Sequence, residues 1–257
     1  MATSNIEERN CTSSRTCEYK NKNLDYNLSF AFKMLPFQHP CTIMVSGPSK
    51  SGKTTFINKL LQFKDQMFST KFKEIVWCYG AVVPYLSVEN VRFHEGIPSL
   101  ETFEIQPNSL IILDDLMSET NVVINDLFIK HSHHKSLTVI FIVQNLFPKG
   151  KHSRNISLNS HYLVVFKNPR DKLQIEYLAR QIMPRDSKAL VGVFEQATVN
   201  PHSYLLFDLT QSIPEALRIR TNIFPDETMH IYAHVKDLHK PVTFSSRQDV
   251  ELKALQK

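Results

Sequence analysis

Residues 47–55 read GPSKSGKTT. Gly47, four intervening residues, Gly52, Lys53 and Thr54 complete the phosphate-binding pattern G-x-x-x-x-G-K-[ST]. The flanks fit the pattern. Thr42-Ile43-Met44-Val45-Ser46 is short, apolar and β-branched, which predicts a buried strand. Thr55-Phe56-Ile57-Asn58-Lys59-Leu60-Leu61 carries apolar residues at helical spacing, which predicts a helix ending near Lys64. A strand, a glycine turn and a helix N-terminus together make an anion site. Backbone N–H groups point into the loop, and the helix dipole adds partial positive charge. Gly47, Pro48, Ser49, Lys50, Ser51, Gly52, Lys53, Thr54 and Thr55 are the expected cradle for the phosphates of ATP. The Lys53 ammonium is expected at the β- and γ-phosphates and the Thr54 hydroxyl on Mg²⁺. The alternative, a chance match on an ordinary loop, leaves the flanking strand and helix unexplained.

A second segment supports this. Ser109-Leu110-Ile111-Ile112-Leu113-Asp114-Asp115 is an apolar run ending in two carboxylates. Following a complete phosphate loop, it fits a Walker B strand. Asp114 is expected to bind Mg²⁺ and Asp115 to act as general base toward water. A strand ending in a turn, where Asp is common, is the bland alternative. Leu137 to Val143 predicts a further central strand, ending in Gln144 and Asn145. Gln144 is either a sensor touching γ-phosphate and water or an amide capping the next turn.

Composition bounds the rest. The chain has 257 residues, 42% hydrophobic and 21% charged, a globular mix sufficient for one large α/β domain or a domain plus a small appendage. The longest strongly apolar run, Leu137 to Val143, falls far short of the ~18 residues of a membrane span. The N-terminus lacks the apolar core of a signal peptide. Cys11, Cys17, Cys41 and Cys78 have no metal-ligand spacing, which points to a reducing compartment. The sequons at Asn10, Asn27 and Asn155 are expected to be unused.

The net charge of +5 is unevenly spread. Between 84 and 126, Arg92 is the only base among Glu89, Glu95, Glu101, Glu104, Asp114, Asp115, Glu119 and Asp126. Between 131 and 172, Lys135, Lys149, Lys151, Arg154, Lys167, Arg170 and Lys172 face a single acid, Asp171. Such a block is either the footprint of a polyanion or a solvated face.

Residues 1–28 are polar and without periodicity, and are expected to form a flexible arm. Residues 29–225 are expected to hold the ATPase domain and 226–257 a C-terminal extension, with a short helix at about 247–256. Within the domain, Glu74 to Gly80 predicts a strand, and 81–108 irregular chain with room for one short helix or strand. Residues 119–131 predict a helix, and 146–160 a long basic loop. A strand follows from His161 to Lys167, then helices at about 172–182 and 186–196. Ser203 to Asp208 is expected to be the last strand of the core. His131, His133 and His134 suit a helix terminus or a surface facing polyanion better than a metal site.

Several runs carry a family resemblance: GPSKSGKTTF, YG followed by Pro84-Tyr85, LIILDDLMSE, HSHHKSLTVIFIVQNLFPKGK, RNISLNSHYLVVFKNPRD, LARQIMP and SYLLFDL. Over about residues 36–225 the chain resembles the genome-packaging ATPases of Polinton/Maverick elements and related double-stranded DNA viruses, in the FtsK–HerA branch of P-loop NTPases. The run from His131 through Asp171 is the most specific part. The resemblance implies an α/β fold, a RecA/FtsK-like three-layer sandwich with a central, mostly parallel sheet flanked by helices. It also implies a sensor strand between the P-loop and Walker B strands. It implies a homo-oligomeric ring that hydrolyses ATP with Mg²⁺ and drives duplex DNA into a capsid, with a capsid or portal protein as partner. The location implied is intracellular, nuclear or cytoplasmic, or virion-associated.

Carried over by position, Gly47, Gly52, Lys53 and Thr54 are the P-loop, Asp114 and Asp115 are Walker B, and Gln144 is the sensor. Many relatives of this branch end Walker B in Asp-Glu, so either Asp115 or Glu119 is the base here. Lys149, Lys151 and Arg154 are the candidate DNA contacts. Arg154 is the first candidate for an arginine reaching a neighbour's site, ahead of Arg170, Arg218 and Arg220. Two other readings compete: a P-loop kinase acting on a small molecule, and an inactive remnant of a mobile element.

Overall fold

The computed structural model describes residues 35–80, 90–97, 105–116, 124, 136–147 and 153–233, without the side chains of 153–155. From Pro36 onward these residues belong to one compact unit. The expected arm at 1–28, the helix at 119–131 except Ile124, the three histidines, Glu119, Lys149, Lys151 and the helix at 247–256 lie outside the described residues.

Strand β1 (Thr42–Ser46) is buried along its whole length. Parallel neighbours flank it on both sides, β5 (Leu137–Val143) and β6 (Tyr162–Phe166). Beyond β5 the sheet continues in parallel through β4 (Ser109–Asp114) and β2 (Glu74–Tyr79) to β3 (Arg92–Glu95). Beyond β6 it turns antiparallel, through β7 (Tyr204–Asp208), β8 (Ile219–Thr221) and β9 (His230–Tyr232). The order among the described residues is β3-β2-β4-β5-β1-β6-β7-β8-β9. The strand carrying Gln144 therefore lies between the P-loop strand and the Asp114 strand, as the resemblance implied.

Parallel strands covered on both faces read as continuous apolar runs, and β5 with seven buried residues is such a run. Alternate side chains point to opposite faces. Ile43, Val45, Ile112, Ile140 and Ile142 pack with Phe56, Ile57 and Leu60 of α1 (Lys53–Gln62) and with Met67 of α2 (Lys64–Met67). Met44, Ile111, Val139 and Phe141 on the other face pack with Ile156 of α3 (Ser153–Leu158), Ile175 and Leu178 of α4 (Leu173–Ile182), and Leu190 and Phe194 of α5 (Ser187–Ala197). The result is the expected three-layer α/β fold. Among the described residues no helix is long and apolar enough to cross a membrane.

One aromatic contact set fixes where α1 sits. The Phe56 ring meets Tyr204 at 4.8 Å, Phe224 at 5.2 Å and Phe166 at 6.1 Å between centroids. These contacts tie the P-loop helix to β6, β7 and the segment after β8. Lys59 on the same helix pairs with Asp226 at 3.0 Å and also with Glu227.

Three expectations change. The stretch 146–160 is not all loop, because residues 153–158 form α3, where Ile156 is fully buried and anchors the turn to the core. Asp208 does not end the core, since β8 and β9 extend the sheet. These strands are three residues each, too short to show a period. The sheet consequently runs past 225, through β9, into the stretch expected to be an extension. Among the described residues of the irregular 81–108 region there is one short strand, β3.

The antiparallel wing encloses an ion pair. Arg220 on β8 and Asp208 on β7 meet at 2.6 Å, and both are almost fully buried. Burial lowers the Arg220 pKa, and the Asp208 carboxylate opposes that fall. Asp208 Oδ1 also accepts from the Thr210 amide and hydroxyl. Removing one partner of a buried pair strands the other charge and costs about 3–5 kcal/mol. Arg220→Ala is expected to lower the urea midpoint accordingly. The joint change Asp208→Leu with Arg220→Met should recover most of the loss, since apolar replacements of buried pairs are often neutral or stabilising.

Candidate nucleotide site

The P-loop leaves β1 at the carboxyl edge of the sheet. The Gly47 amide donates to the Val143 carbonyl at 3.2 Å, so the loop begins locked to the end of β5. A Cβ on Gly47 would lie 2.7 Å from Phe166 Cβ, which leaves no room for a side chain. Gly52, with φ 105°, closes the loop as N-cap of α1. The Ser51 hydroxyl oxygen is buried in the loop without a hydrogen-bond partner. Lys53 Nζ donates to the carbonyls of Gly47 at 2.6 Å and Pro48 at 2.8 Å, so the ammonium lies across the mouth of the loop. Burial lowers its pKa, and the carboxylates of Asp114 and Asp115 oppose the fall.

β4 delivers the two acids beside it. Asp114 is half-buried, and burial raises its carboxyl pKa. The Trp77 indole opposes that rise, the Asp115 charge adds to it, and Lys53 opposes it. Trp77 Nε1 is itself buried without completing a hydrogen bond. Asp115 adopts φ 54°, a left-handed conformation that Asp tolerates better than most residues. The kink turns its side chain outward, where Gln144 Nε2 donates to Asp115 Oδ1 at 3.1 Å. The expected sensor and the expected base thus touch, and Lys53 senses both acids.

Thr54 and Asp114 supply a hydroxyl and a carboxylate, the hard oxygen donors that Mg²⁺ takes. A half-buried carboxyl whose charge is penalised by burial gains from a cation, so the residues fit the ion. Among the described residues no cluster of three or more His, Cys, Asp or Glu is placed to hold a metal. Cys41 and Cys78 are buried thiols with pKa pushed up to about 12 by burial, and neither serves as a nucleophile.

The remaining candidates are scattered. Arg154 falls on α3, and its side chain is outside the described residues. Arg170 is exposed in the turn after β6. Arg220 is committed to Asp208, so it is not available to a neighbouring site. Arg218 donates to the carbonyls of Asp208 and Thr210 and to Glu215, and is committed likewise.

Two positions went unassigned in the sequence. Gly80 directly follows β2, its amide donating to the Asp114 carbonyl at 3.1 Å. A Cβ there would come within 2.6 Å of the Asp115 carbonyl oxygen, so glycine lets β2 run beneath the Asp115 kink. The YG pair was visible, but nothing in its spacing reveals that approach. Gln174 on α4 is a hub. Its Oε1 accepts from the Leu146 amide at 2.7 Å, and its Nε2 donates to Asp171 at 2.6 Å and to Asn145 at 3.3 Å. It holds the exit of β5 just past Gln144. Gln144, Gly47, Phe166, Asp171, Lys172 and Gln174 also line a cleft of about 170 Å³ beside the loop.

No protein-family model matches the chain, and no curated protein matches it. Solved structures that resemble it include the genome packaging NTPase B204 from Sulfolobus turreted icosahedral virus 2, in complex with AMP, with ATP-gammaS and with AMPPCP. Identities are 11%, 12% and 12%, and TM-scores 0.41, 0.43 and 0.44. The matches cover 66%, 79% and 79% of this chain and 94%, 98% and 99% of those chains. A likeness this distant assigns no chemistry to the residues above.

Replacing Gln174 by Leu leaves the Leu146 amide without its acceptor, which typically costs about 1–3 kcal/mol. Amide hydrogen exchange of residues 144–147 should accelerate in Gln174→Leu, while exchange in β7 and β8 stays as in the parent.

Proposed function

We propose that this protein is a Mg²⁺-dependent ATPase that moves duplex DNA, packaging a viral or virus-like transposon genome. One observation carries the ATPase reading. Gln144 meets Asp115 at the edge of three adjacent strands, with Lys53 and a complete P-loop beside them. The family resemblance supports duplex DNA as the track, a homo-oligomeric ring as the working assembly and a capsid or portal protein as partner. It also supports a nuclear or cytoplasmic setting, or association with the virion.

In this reading the loop amides and Lys53 hold the β- and γ-phosphates and offset charge as it develops there. Thr54 and Asp114 hold Mg²⁺, which when bound neutralises phosphate charge. Asp115 accepts the proton of the attacking water, and Gln144 orients that water while keeping the carboxylate in place. Positioning and electrostatics suffice, because phosphoryl transfer asks little covalent chemistry of the protein. Arg154 comes to the γ-phosphate from a neighbouring subunit, and Lys149 and Lys151 contact DNA phosphates.

The cleft beside Gly47 and Gln144 favours a second reading, a kinase whose small acceptor sits there. ATP turnover measured with and without duplex DNA, alongside native mass, separates the two. Stimulation by DNA in a multimer supports the motor. A monomer indifferent to DNA that phosphorylates a small acceptor supports the kinase.

The acids should separate by mutation. Lys53→Ala is expected to abolish hydrolysis in a folded protein. Asp115→Asn should still bind MgATP but turn over slowly, since placing the nucleophile acts mainly in the transition state. Asp114→Asn should lose metal-dependent binding too. Full activity in Asp115→Asn with a dead Glu119→Gln would move the base to Glu119.

The DNA contacts have their own signature. Each phosphate contact releases counterions, so binding falls steeply with salt. Neutralising Lys149 and Lys151 together should flatten the salt slope by about two units, alike on different sequences. An unchanged slope would take these lysines off the DNA surface.

A further inference from the structure

We propose that the turn between α5 and β7 receives the base of the nucleotide, with the His202 imidazole as the stacking platform. This rests on the nucleotide reading of the P-loop above.

His202 is exposed, yet its backbone is held. It adopts φ 64°, in a turn closed by the Ser203 amide donating to the Asn200 carbonyl at 3.3 Å. The left-handed region is uncommon outside glycine, and His is among the residues enriched there. The turn lies against the phosphate loop. A Cβ on Gly52 would be 3.0 Å from His202 Cβ and 3.4 Å from its Nδ1. The ring therefore stands next to the residue preceding Lys53, at the end of the loop where α1 begins.

Sheet order says which end of a nucleotide passes there. Asp114, Asp115 and Gln144 lie on the β4–β5 side of β1. The γ-phosphate belongs on that side, with the acids and the sensor. The nucleoside must leave on the other side, toward β6 and β7. β7 runs antiparallel to β6 and pairs its first residue, Tyr204, with Phe166 at the end of β6. The start of β7, and the turn before it, therefore lie at the same carboxyl edge as the loop. The same turn presents Val199, 70% exposed and without a place in the core. Phe166, which also approaches the loop, is packed beneath Gly47 and only 2% exposed. An exposed imidazole on a turn that also exposes an apolar side chain suits the flat face of a purine. Stacking of a base on an aromatic side chain tolerates any base, so His202 contributes affinity for the base rather than a strict choice among bases.

The test compares MgATP with inorganic tripolyphosphate, which carries the phosphates without the base. His202→Asn keeps a residue that accepts the left-handed backbone but has no aromatic ring. His202→Phe keeps a stackable ring and loses the ring nitrogens. By calorimetry, His202→Asn should weaken MgATP about tenfold and tripolyphosphate by less than about twofold, the size expected for one stacked base. His202→Phe should hold MgATP within about threefold of the parent. Equal weakening of both ligands in His202→Asn would make His202 a support of the loop and overturn the platform. Unchanged MgATP affinity in His202→Asn would also overturn it. A parent that binds neither ligand would remove the nucleotide reading itself and the platform with it, a result distinct from a parent that binds both.

Discussion

The parallel register of β1 on β5 is the constraint behind the whole site. Ser46 lies opposite Val143, and the next amide, Gly47, closes on the Val143 carbonyl. The first residue of the P-loop and the residue before Gln144 are therefore bonded neighbours. The register of β4 on β5 sets Asp114 opposite Ile142, so the acids end level with the same edge. A slip of one residue in either pairing would turn every side chain of that strand to the other face. The buried alternation of Ile43, Met44 and Val45 against both helical layers prevents such a slip.

Charge is used differently in two parts of the sheet. At the carboxyl edge, Lys53, Asp114 and Asp115 are near one another without a closed ion pair. Burial disfavours the charged forms of Lys53 and Asp114, and the opposite charges offset part of that. Such groups gain from a ligand that brings compensating charge, and perturbed groups tend to gather at functional sites. In the antiparallel wing, Asp208 and Arg220 are closed into a buried ion pair, with the Arg220 Nε left without a hydrogen-bond partner. They hold the wing together, and the wing carries the turn with His202 to the P-loop.

The glycines at the edge have unequal visibility. Gly47 and Gly52 could be assigned from the motif, because the phosphate loop demands them at fixed spacing. Gly80 could not, because its reason is the Asp115 carbonyl, thirty-five positions away in sequence and in contact only after β2 pairs with β4. Gln174 is similar. Its hydrogen bonds join α4 to the exit of β5, and no local pattern marks a half-buried glutamine for that task.

The sequence by itself determined the local things: a strand–loop–helix with full phosphate-loop spacing, apolar runs long enough to be parallel strands, and acids and an amide at the ends of two of them. Those signals are local, because hydrophobic runs, glycine spacing and strand-end polar residues need no knowledge of neighbours. Tertiary structure alone decided which ends meet. It brought Gln144 onto Asp115 and set His202 against Gly52. It also tied Arg220 to Asp208 inside the wing and Arg218 to the carbonyls of Asp208 and Thr210. It made part of the basic stretch helical through burial of Ile156, and added two short strands after Asp208. Each of these rests on contacts between segments distant in the chain, and three-residue strands or single buried side chains leave no periodic trace for a sequence to show.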